Sequence, residues 1–290
     1  MKIWFDGKLV SKEEAKISVF DHGVLYGDGV FEGIRFYGRR IFRFEDHIQR
    51  LFDSAHAIMI KMPWSADEVR GFVMDTVRAN DLDDGYIRLV VTRGVGGLGL
   101  NPELCERPSM FIIVSTVNLY PPEQYERGMK LVTCATRRTA PAALMPQVKS
   151  LNYLNNVLAK AEAMQAGALE GIMLNEQGYI AECTGDNLFV VRDGKLLTPP
   201  ISDGALDGIT RRVVLELAEQ AGIASGSRSL TRYDVFTADE CFLTGSAAEL
   251  VPVISLDGRV IGGNCPGPLT AQMMRAFYEH TRSSGTPVDE

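Results

Sequence analysis

Apolar side chains recur in this chain with two periods, and the switches between them mark out its elements. Between residues 45 and 60, Ile48, Leu51, Phe52, Ala55, Ile58 and Met59 fall at helical spacing, which predicts a helix with Arg50 on its polar side. After Pro63 a second helix is expected from about Asp67 to Ala79. The runs YIRLVVTR and SMFIIVST predict strands, and IWFDGKLV predicts a hairpin turning at Asp6–Gly7. Further on, MKLVTCAT reads as a strand and the stretch from Ser150 to Gln165 as a helix. GIMLNEQGYIAE and LFVVRDGKLL read as strand–turn–strand units, followed by a helix from Ile209 to near Gly222. Short strands around CFLTG and VPVISLDGRVIGG and a helix from about Leu269 to His280 complete the pattern.

Hairpin turns outnumber strand–helix–strand crossovers, which favours an α+β fold over a doubly wound parallel sheet. Adjacent prolines at Pro121 and Pro122 break both helix and strand, so the chain is expected to divide there. The division gives a first domain over 1–117, a linker over 118–127 and a second domain over 128–290.

Composition narrows the function classes. The 290 residues are 46% hydrophobic and 23% charged, with a formal net charge of −7 and no basic run longer than two. Nucleic acid and anionic membrane are therefore not expected as main partners. The N-terminus has no apolar signal core, and no apolar run reaches spanning length. Five scattered cysteines without metal-like spacing point to free thiols in a reducing cytoplasm, and four histidines form no H-x-x-x-H pair, so no metal is expected.

The loop Gly94-Val95-Gly96-Gly97-Leu98-Gly99 matches the dinucleotide fingerprint G-x-G-x-x-G, which would suit a nicotinamide oxidoreductase. That fingerprint needs a helix opening at the glycines. Here Pro102 and Pro108 follow, and then a strand. A flexible loop reaching over a site is the better reading.

Lys149 is the residue that asks for an explanation. It stands one position before the expected helix start, where the positive helix end disfavours a cation. A lysine that does chemistry needs its amine unprotonated part of the time, and apolar neighbours with nearby positive charge lower its pKa. Leu144, Met145 and Val148 precede it, and Arg137 and Arg138 are close in sequence. Tyr153, four residues on, would share its helix face. Glu182 ends a strand before the turn Cys183–Asn187. Leu206-Asp207-Gly208-Ile209-Thr210 leads into a helix whose first N–H groups could hold an anion, and Thr244–Glu249 is another small-residue turn. Arg50 adds a fixed positive charge. Each feature alone has an ordinary structural reading. Together, an amine, a carboxylate, a phenol and a phosphate cradle are what pyridoxal phosphate requires.

The segments DHGVLYGDGVFEGIRFY, HIQRLFDSAHAI, QVKSLNYLNNVLAKAEA, GYIAECTGDNLFVV, LDGITR and LTGSAAELVPV resemble, in order, the class IV (fold type IV) pyridoxal-phosphate aminotransferases of the branched-chain type. The resemblance covers roughly Ile3 to Tyr278. It implies a two-domain fold, with a smaller N-terminal α/β domain, a larger domain with a barrel-like mixed sheet, and the cofactor at the domain interface. Lys149 would be the Schiff-base lysine and the acid/base, Tyr153 would hydrogen-bond the cofactor phenolate, and Glu182 would pair with the pyridine nitrogen. Arg50, Ile209, Thr210 and Ser246 would hold the phosphate, and Leu206 would pack on the ring. Tyr86 and the Ser246–Ala247 turn would bind the α-carboxylate, Arg88 the side-chain carboxylate of glutamate, Phe31 would wall an apolar pocket, and Arg35 would sit beside it. Tyr26 and the loop 94–99 would come from a neighbouring subunit of a homodimer or higher oligomer.

The implied reaction exchanges the amino group of leucine, isoleucine or valine with 2-oxoglutarate, as in branched-chain amino acid biosynthesis. A D-amino acid aminotransferase and an aminodeoxychorismate lyase are the alternatives within the fold. FEGIR, Tyr86 and Arg88 favour the branched-chain reading. Two departures from relatives stand out: no interdomain tryptophan, since only Trp4 and Trp64 occur, and no C-x-x-C pair.

Overall fold

In the computed structural model, which describes residues 1–289, strands β1 (Lys2–Phe5) and β2 (Lys8–Ser11) are joined by the Asp6–Gly7 turn. Both turn residues have positive φ, 44° and 97°, the geometry of a two-residue hairpin loop. A short helix α1 (His22–Tyr26) follows, then β3 (Gly29–Tyr37), β4 (Arg40–Ile41), the helices α2 (Phe44–Ala57) and α3 (Ala66–Asn80), and strands β5 (Gly85–Thr92) and β6 (Ser109–Ser115). Ser65 and Glu68 form a reciprocal capping box that starts α3.

Onward from there run α4 (Pro122–Arg127), β7 (Met129–Thr133), α5 (Leu154–Gln165), β8 (Glu170–Leu174), β9 (Ile180–Cys183), β10 (Asn187–Arg192) and β11 (Lys195–Thr198). The rest is α6 (Ile209–Gln220), β12 (Ser225–Ser227), α7 (Arg232–Phe236), β13 (Glu240–Gly245), β14 (Glu249–Leu256), β15 (Arg259–Val260), α8 (Pro268–Ser283) and β16 (Thr286–Pro287).

Two units emerge. The first holds Met1–Val117, Val148–Asn152 and the tail from Thr281; the second holds Asn118–Gln147 and Tyr153–His280. In the first, a seven-stranded sheet runs β16-β4-β3-β5-β6-β1-β2, with α2 and α3 packed on it over a core that includes Trp4, Ile34, Leu51, Val73 and Ile112. In the second, β7 runs parallel to β8 and β14 and β11 parallel to β12, while the remaining pairs of a nine-stranded sheet are antiparallel. The two-unit α+β architecture is the one expected.

Three local departures have physical causes. Residues 148–152 and the tail, assigned from sequence to the second domain, belong to the first: Ser150 bridges Val30, and β16 pairs with β4. The expected linker contains helix α4, because Pro122 occupies a first-turn position where its missing N–H costs nothing. Helix α5 starts at Leu154 rather than Ser150, because the backbone of 149–151 is already hydrogen-bonded to β3.

Candidate active site

In the first unit, Lys149 is pinned through its main chain. Its N–H donates to Ser54 Oγ at 3.2 Å, and its carbonyl accepts the N–H of Phe31 at 2.9 Å. Leu151 N–H donates to the Gly29 carbonyl at 2.9 Å, so the segment extends the β3 edge as a short bridge. Helix α5 begins five residues after Lys149, so the lysine does not stand at a helix start as the spacing suggested. The shared helix face with Tyr153 also falls away, since Tyr153 stands at the N-cap of α5 in the other unit.

The lysine amine instead lies 4.5 Å from the centre of the Phe31 ring, and the Arg88 guanidinium lies at the same distance from that ring. Alternation along β5 sorts its side chains: Ile87 and Leu89 are fully buried in the core, while Tyr86 and Arg88 share the opposite, half-buried face. The Tyr86 ring crosses Gly33 so closely that a Cβ there would meet its hydroxyl at 1.9 Å, which is why β3 carries glycine at this point. Arg35, paired with Tyr86 across the strands, lies 5.2 Å over the Tyr37 ring.

Arg50 is engaged in a way that spacing along the sequence does not reveal. Its Nε and Nη2 donate to Glu32 Oε1 and Oε2 at 2.7 and 2.9 Å, and His47 Nδ1 lies 2.7 Å from Oε2. Glu32 is wholly buried; burial opposes its charge, but Arg50 and His47 hold its carboxyl well below the usual range. Burial pushes the His47 imidazole down, with Arg50 and Lys149 adding to the effect against the pull of Glu32. Neutral His47 thus donates its Nδ1 proton to the carboxylate. His47, Arg50 and Ser54 line one face of α2 at spacings of three and four, aimed at Glu32 and the Lys149 backbone. A glutamate in the apolar run GVFEGIRFY is the one available signal.

Glu32→Gln is expected to lower stability by about 3 kcal/mol, since a largely buried guanidinium loses its counter-charge. Because the Glu32 pKa is depressed by folding, its contribution is present at neutral pH and fades as pH falls below the usual carboxylate value. Denaturant melts of both proteins at pH 7 and pH 4 check this: the gap should narrow in acid.

The second unit holds Glu182 at the end of β9. Its Oε1 accepts from Arg138 Nη2 at 2.8 Å, and its Oε2 accepts from Asn187 Nδ2 at 3.1 Å and the Leu206 N–H at 2.9 Å. Arg138 is fixed in turn, donating to Asn156 Oδ1 at 2.8 Å and the Gly204 carbonyl at 3.1 Å. Asn156 donates onward to the Thr184 carbonyl. In the sequence Arg138 is only background charge and Asn156 is unremarked; nothing local marks either one, because their partners lie 18 to 66 residues away. Leu206 contributes its backbone N–H to this carboxylate.

Asn187 connects Glu182 to the anion-binding elements. It pairs with Thr244 across β10 and β13, and its Oδ1 lies where a Cβ on Gly208 would meet it at 1.9 Å. Gly208 is the N-cap of α6, and no side chain caps this helix among the described residues, so the first-turn amides of buried Ile209 and Thr210 are not spent on a cap. The Thr244 hydroxyl, just before the Gly245–Ala247 turn, is buried without a partner among the described residues. A carboxyl group paired with a guanidinium and two N–H donors, an uncapped helix start and an orphaned hydroxyl fit a ring cation joined to a phosphate.

Tyr26 Oη accepts the Gly99 N–H at 2.9 Å, and His22 Nε2 lies 2.9 Å from the Gly97 carbonyl, so α1 and the glycine loop form one patch within the first unit. The glycines run into a bridge at Gly96–Cys105 and a turn at Pro102–Leu104, not into a helix. No group of side chains suited to a metal ion occurs among the described residues.

The amino-transferase class IV family model matches residues 29–256, and the chain belongs to that family. It is 49% identical, over 99% of each chain, to a Methanocaldococcus jannaschii protein provisionally named a branched-chain-amino-acid aminotransferase. Its fold matches the solved Escherichia coli branched-chain amino acid aminotransferase with a TM-score of 0.94, at 38% identity over 97% of this chain and 95% of that one. The branched-chain amino acid aminotransferase from Thermobaculum terrenum, solved in its PLP-form, matches with a TM-score of 0.89, at 32% identity over 100% and 98% of the two chains.

Proposed function

We propose that this chain exchanges the amino group of a branched-chain L-amino acid (leucine, isoleucine or valine) with 2-oxoglutarate, using pyridoxal 5'-phosphate. The observation that carries the reading is Phe31, whose ring is faced by both the Lys149 amine and the Arg88 guanidinium. An apolar wall, a reacting amine and a carboxylate receptor on one residue suit a pocket that must take both an aliphatic side chain and that of glutamate.

When bound, the cofactor supplies an aldehyde that takes up the amine and a ring that accepts the electron pair left at the substrate Cα. Lys149 moves the proton at that Cα. Tyr86 and the Ser246–Ala247 turn receive the α-carboxylate, Arg88 the second carboxylate of glutamate, and Phe31 and Arg35 shape the side-chain pocket. Glu182 keeps the ring nitrogen protonated, and Tyr153 donates to the ring oxygen. Arg50, the first amides of α6 at Ile209 and Thr210, and Ser246 hold the phosphate, with Leu206 against the ring. Arg50 does so with its other edge tied to Glu32.

The working unit in this reading is a homodimer in the cytoplasm. The joined patch of α1 and the glycine loop exposes Val19, Phe20, Val24, Leu98 and Leu100, an apolar surface of the kind that a second copy covers. Five free cysteines suit a reducing compartment. No described helix is long and apolar enough to cross a membrane.

Purified protein should be yellow, should convert L-leucine and 2-oxoglutarate to the branched oxo acid and glutamate, and should scatter light as at least twice 31.9 kDa. Turnover of D-alanine without L-leucine would overturn the substrate assignment, and a monomeric active species would overturn the dimer.

A further inference from the structure

The second unit buries two carboxyl groups that the transamination reading does not use. Asp186 and Glu170, 4% and 1% exposed, both contact the Tyr120 hydroxyl, at 2.7 and 3.0 Å. Two short oxygen–oxygen contacts need two protons, and a phenol has one. Were both carboxyls ionised, one contact would set lone pair against lone pair inside the protein. A second proton must therefore sit on one of the acids.

The surroundings decide which. Glu170 Oε1 accepts the N–H groups of Gly171 and Thr184, each at 2.8 Å, and its Oε2 lies 3.1 Å from Lys160 Nζ. Those donors stabilise an anion. Asp186 has no cation or N–H at its carboxyl among the described residues; Tyr120 is its one hydrogen-bond partner. The charge thus belongs on Glu170 and the proton on Asp186. The hydrogen bonds run from Asp186 to Tyr120 to Glu170.

Position gives this acid a task. Asp186 lies in the turn between Glu182 and Asn187, closed by the Cys183 N–H to its own carbonyl at 2.8 Å. Its Oδ1 abuts Gly245, where an added Cβ would approach to 2.1 Å, so it also backs the start of the Ser246–Ala247 turn. We propose that Asp186 is a positioning residue held as the neutral acid, its proton fixing the turn that presents Glu182 and Asn187.

The groups facing it are Tyr120 from the segment before α4, Glu170 from β8, Lys160 from α5, and Glu182 and Cys183 from β9. Burial, with the charge of Glu170 adding, raises the Asp186 pKa to about 7, against the lowering by Tyr120 and Lys160. A folded value above the unfolded one means the stabilisation is complete in acid and is lost as pH rises through about 7.

The test reads the proton in the apoprotein. Infrared and carboxyl-carbon NMR spectra of protein labelled at aspartate should show one neutral acid at a pH where the other aspartates have ionised, and D186N should lack it. If every aspartate titrates in the ordinary range, the proposal fails. D186N keeps the donor to Tyr120 without a titration, so its melting temperature relative to the natural protein should rise by several degrees between pH 5 and pH 9. A constant difference would overturn the role. Y120F, which removes the hydroxyl that lowers the Asp186 pKa, should hold the neutral-acid signal to higher pH, and an unchanged titration there would also count against the proposal. A last arm rests on the function proposed above: pyridoxal phosphate retention should weaken with rising pH in the natural protein and not in D186N. Failure of that arm alone would leave the proton in place and strike the link to the cofactor site.

Discussion

Lys149→Ala is expected to abolish transamination, with a loss of at least about 10⁴-fold, the size seen when one group serves as both nucleophile and proton carrier. Lys149→Arg should fall equally far. A guanidinium stays protonated at any working pH and can neither attack a carbonyl nor take a proton from Cα. Both variants should fold, because what the structure fixes at this position is backbone: the N–H on Ser54 Oγ and the carbonyl on Phe31 N–H are kept by any side chain. Single-turnover assays with L-leucine measure the rate, and circular dichroism with a thermal melt controls for folding. Borohydride reduction with peptide mapping supplies a second readout, since the cofactor should be trapped on the peptide containing residue 149 only when lysine is present. A K149A protein within tenfold of the natural rate would remove Lys149 from the chemistry.

What makes Lys149 conspicuous in the sequence, and how it is actually held, differ for a physical reason. Its oddity depends on a helix start at Ser150, and that start is four residues too early. The apolar period of Leu151, Leu154 and Leu158 continues smoothly into the helix, so nothing local marks the break. The cause is a pairing with Gly29 and Phe31, about 120 residues away in sequence. Long-range pairing of this kind overrides local period. Features that depend on period alone were legible: the Tyr86/Arg88 face of β5, the start of α6 at Ile209, and Glu182 at its strand end. What stayed hidden were the partners of charged groups. Glu32 under Arg50, Arg138 under Glu182, and Tyr120 between two acids are joined only by folding. Each of these sites therefore has a second layer that no spacing rule would have found.

Glu182→Gln tests that second layer most sharply, and it is expected to cost activity by about 10³-fold and stability as well. An amide looks like a conservative replacement but is not one here. Three donors converge on this side chain, Arg138 Nη2, Asn187 Nδ2 and the Leu206 N–H, from both sides of the carboxylate. A glutamine offers one accepting oxygen and must turn its own N–H groups toward at least one of those donors. In either orientation the amide is neutral, so a guanidinium that is only 10% exposed loses the charge of Glu182, and breaking a buried pair in this way costs about 3–5 kcal/mol. With its oxygen toward Arg138, it also sets N–H against the Leu206 and Asn187 donors and disturbs the loop leading to α6. The catalytic loss has a separate origin: a neutral amide cannot hold a proton on a ring nitrogen as a carboxylate does, so the ring is a poorer electron acceptor. Measuring apoprotein melts beside leucine turnover separates the two effects. Pairing E182Q with Arg138→Met tells them apart further, because removing the unpaired cation should recover part of the stability while leaving turnover low. If E182Q matched the natural protein in rate, Glu182 would be a structural anchor for Arg138 and nothing more.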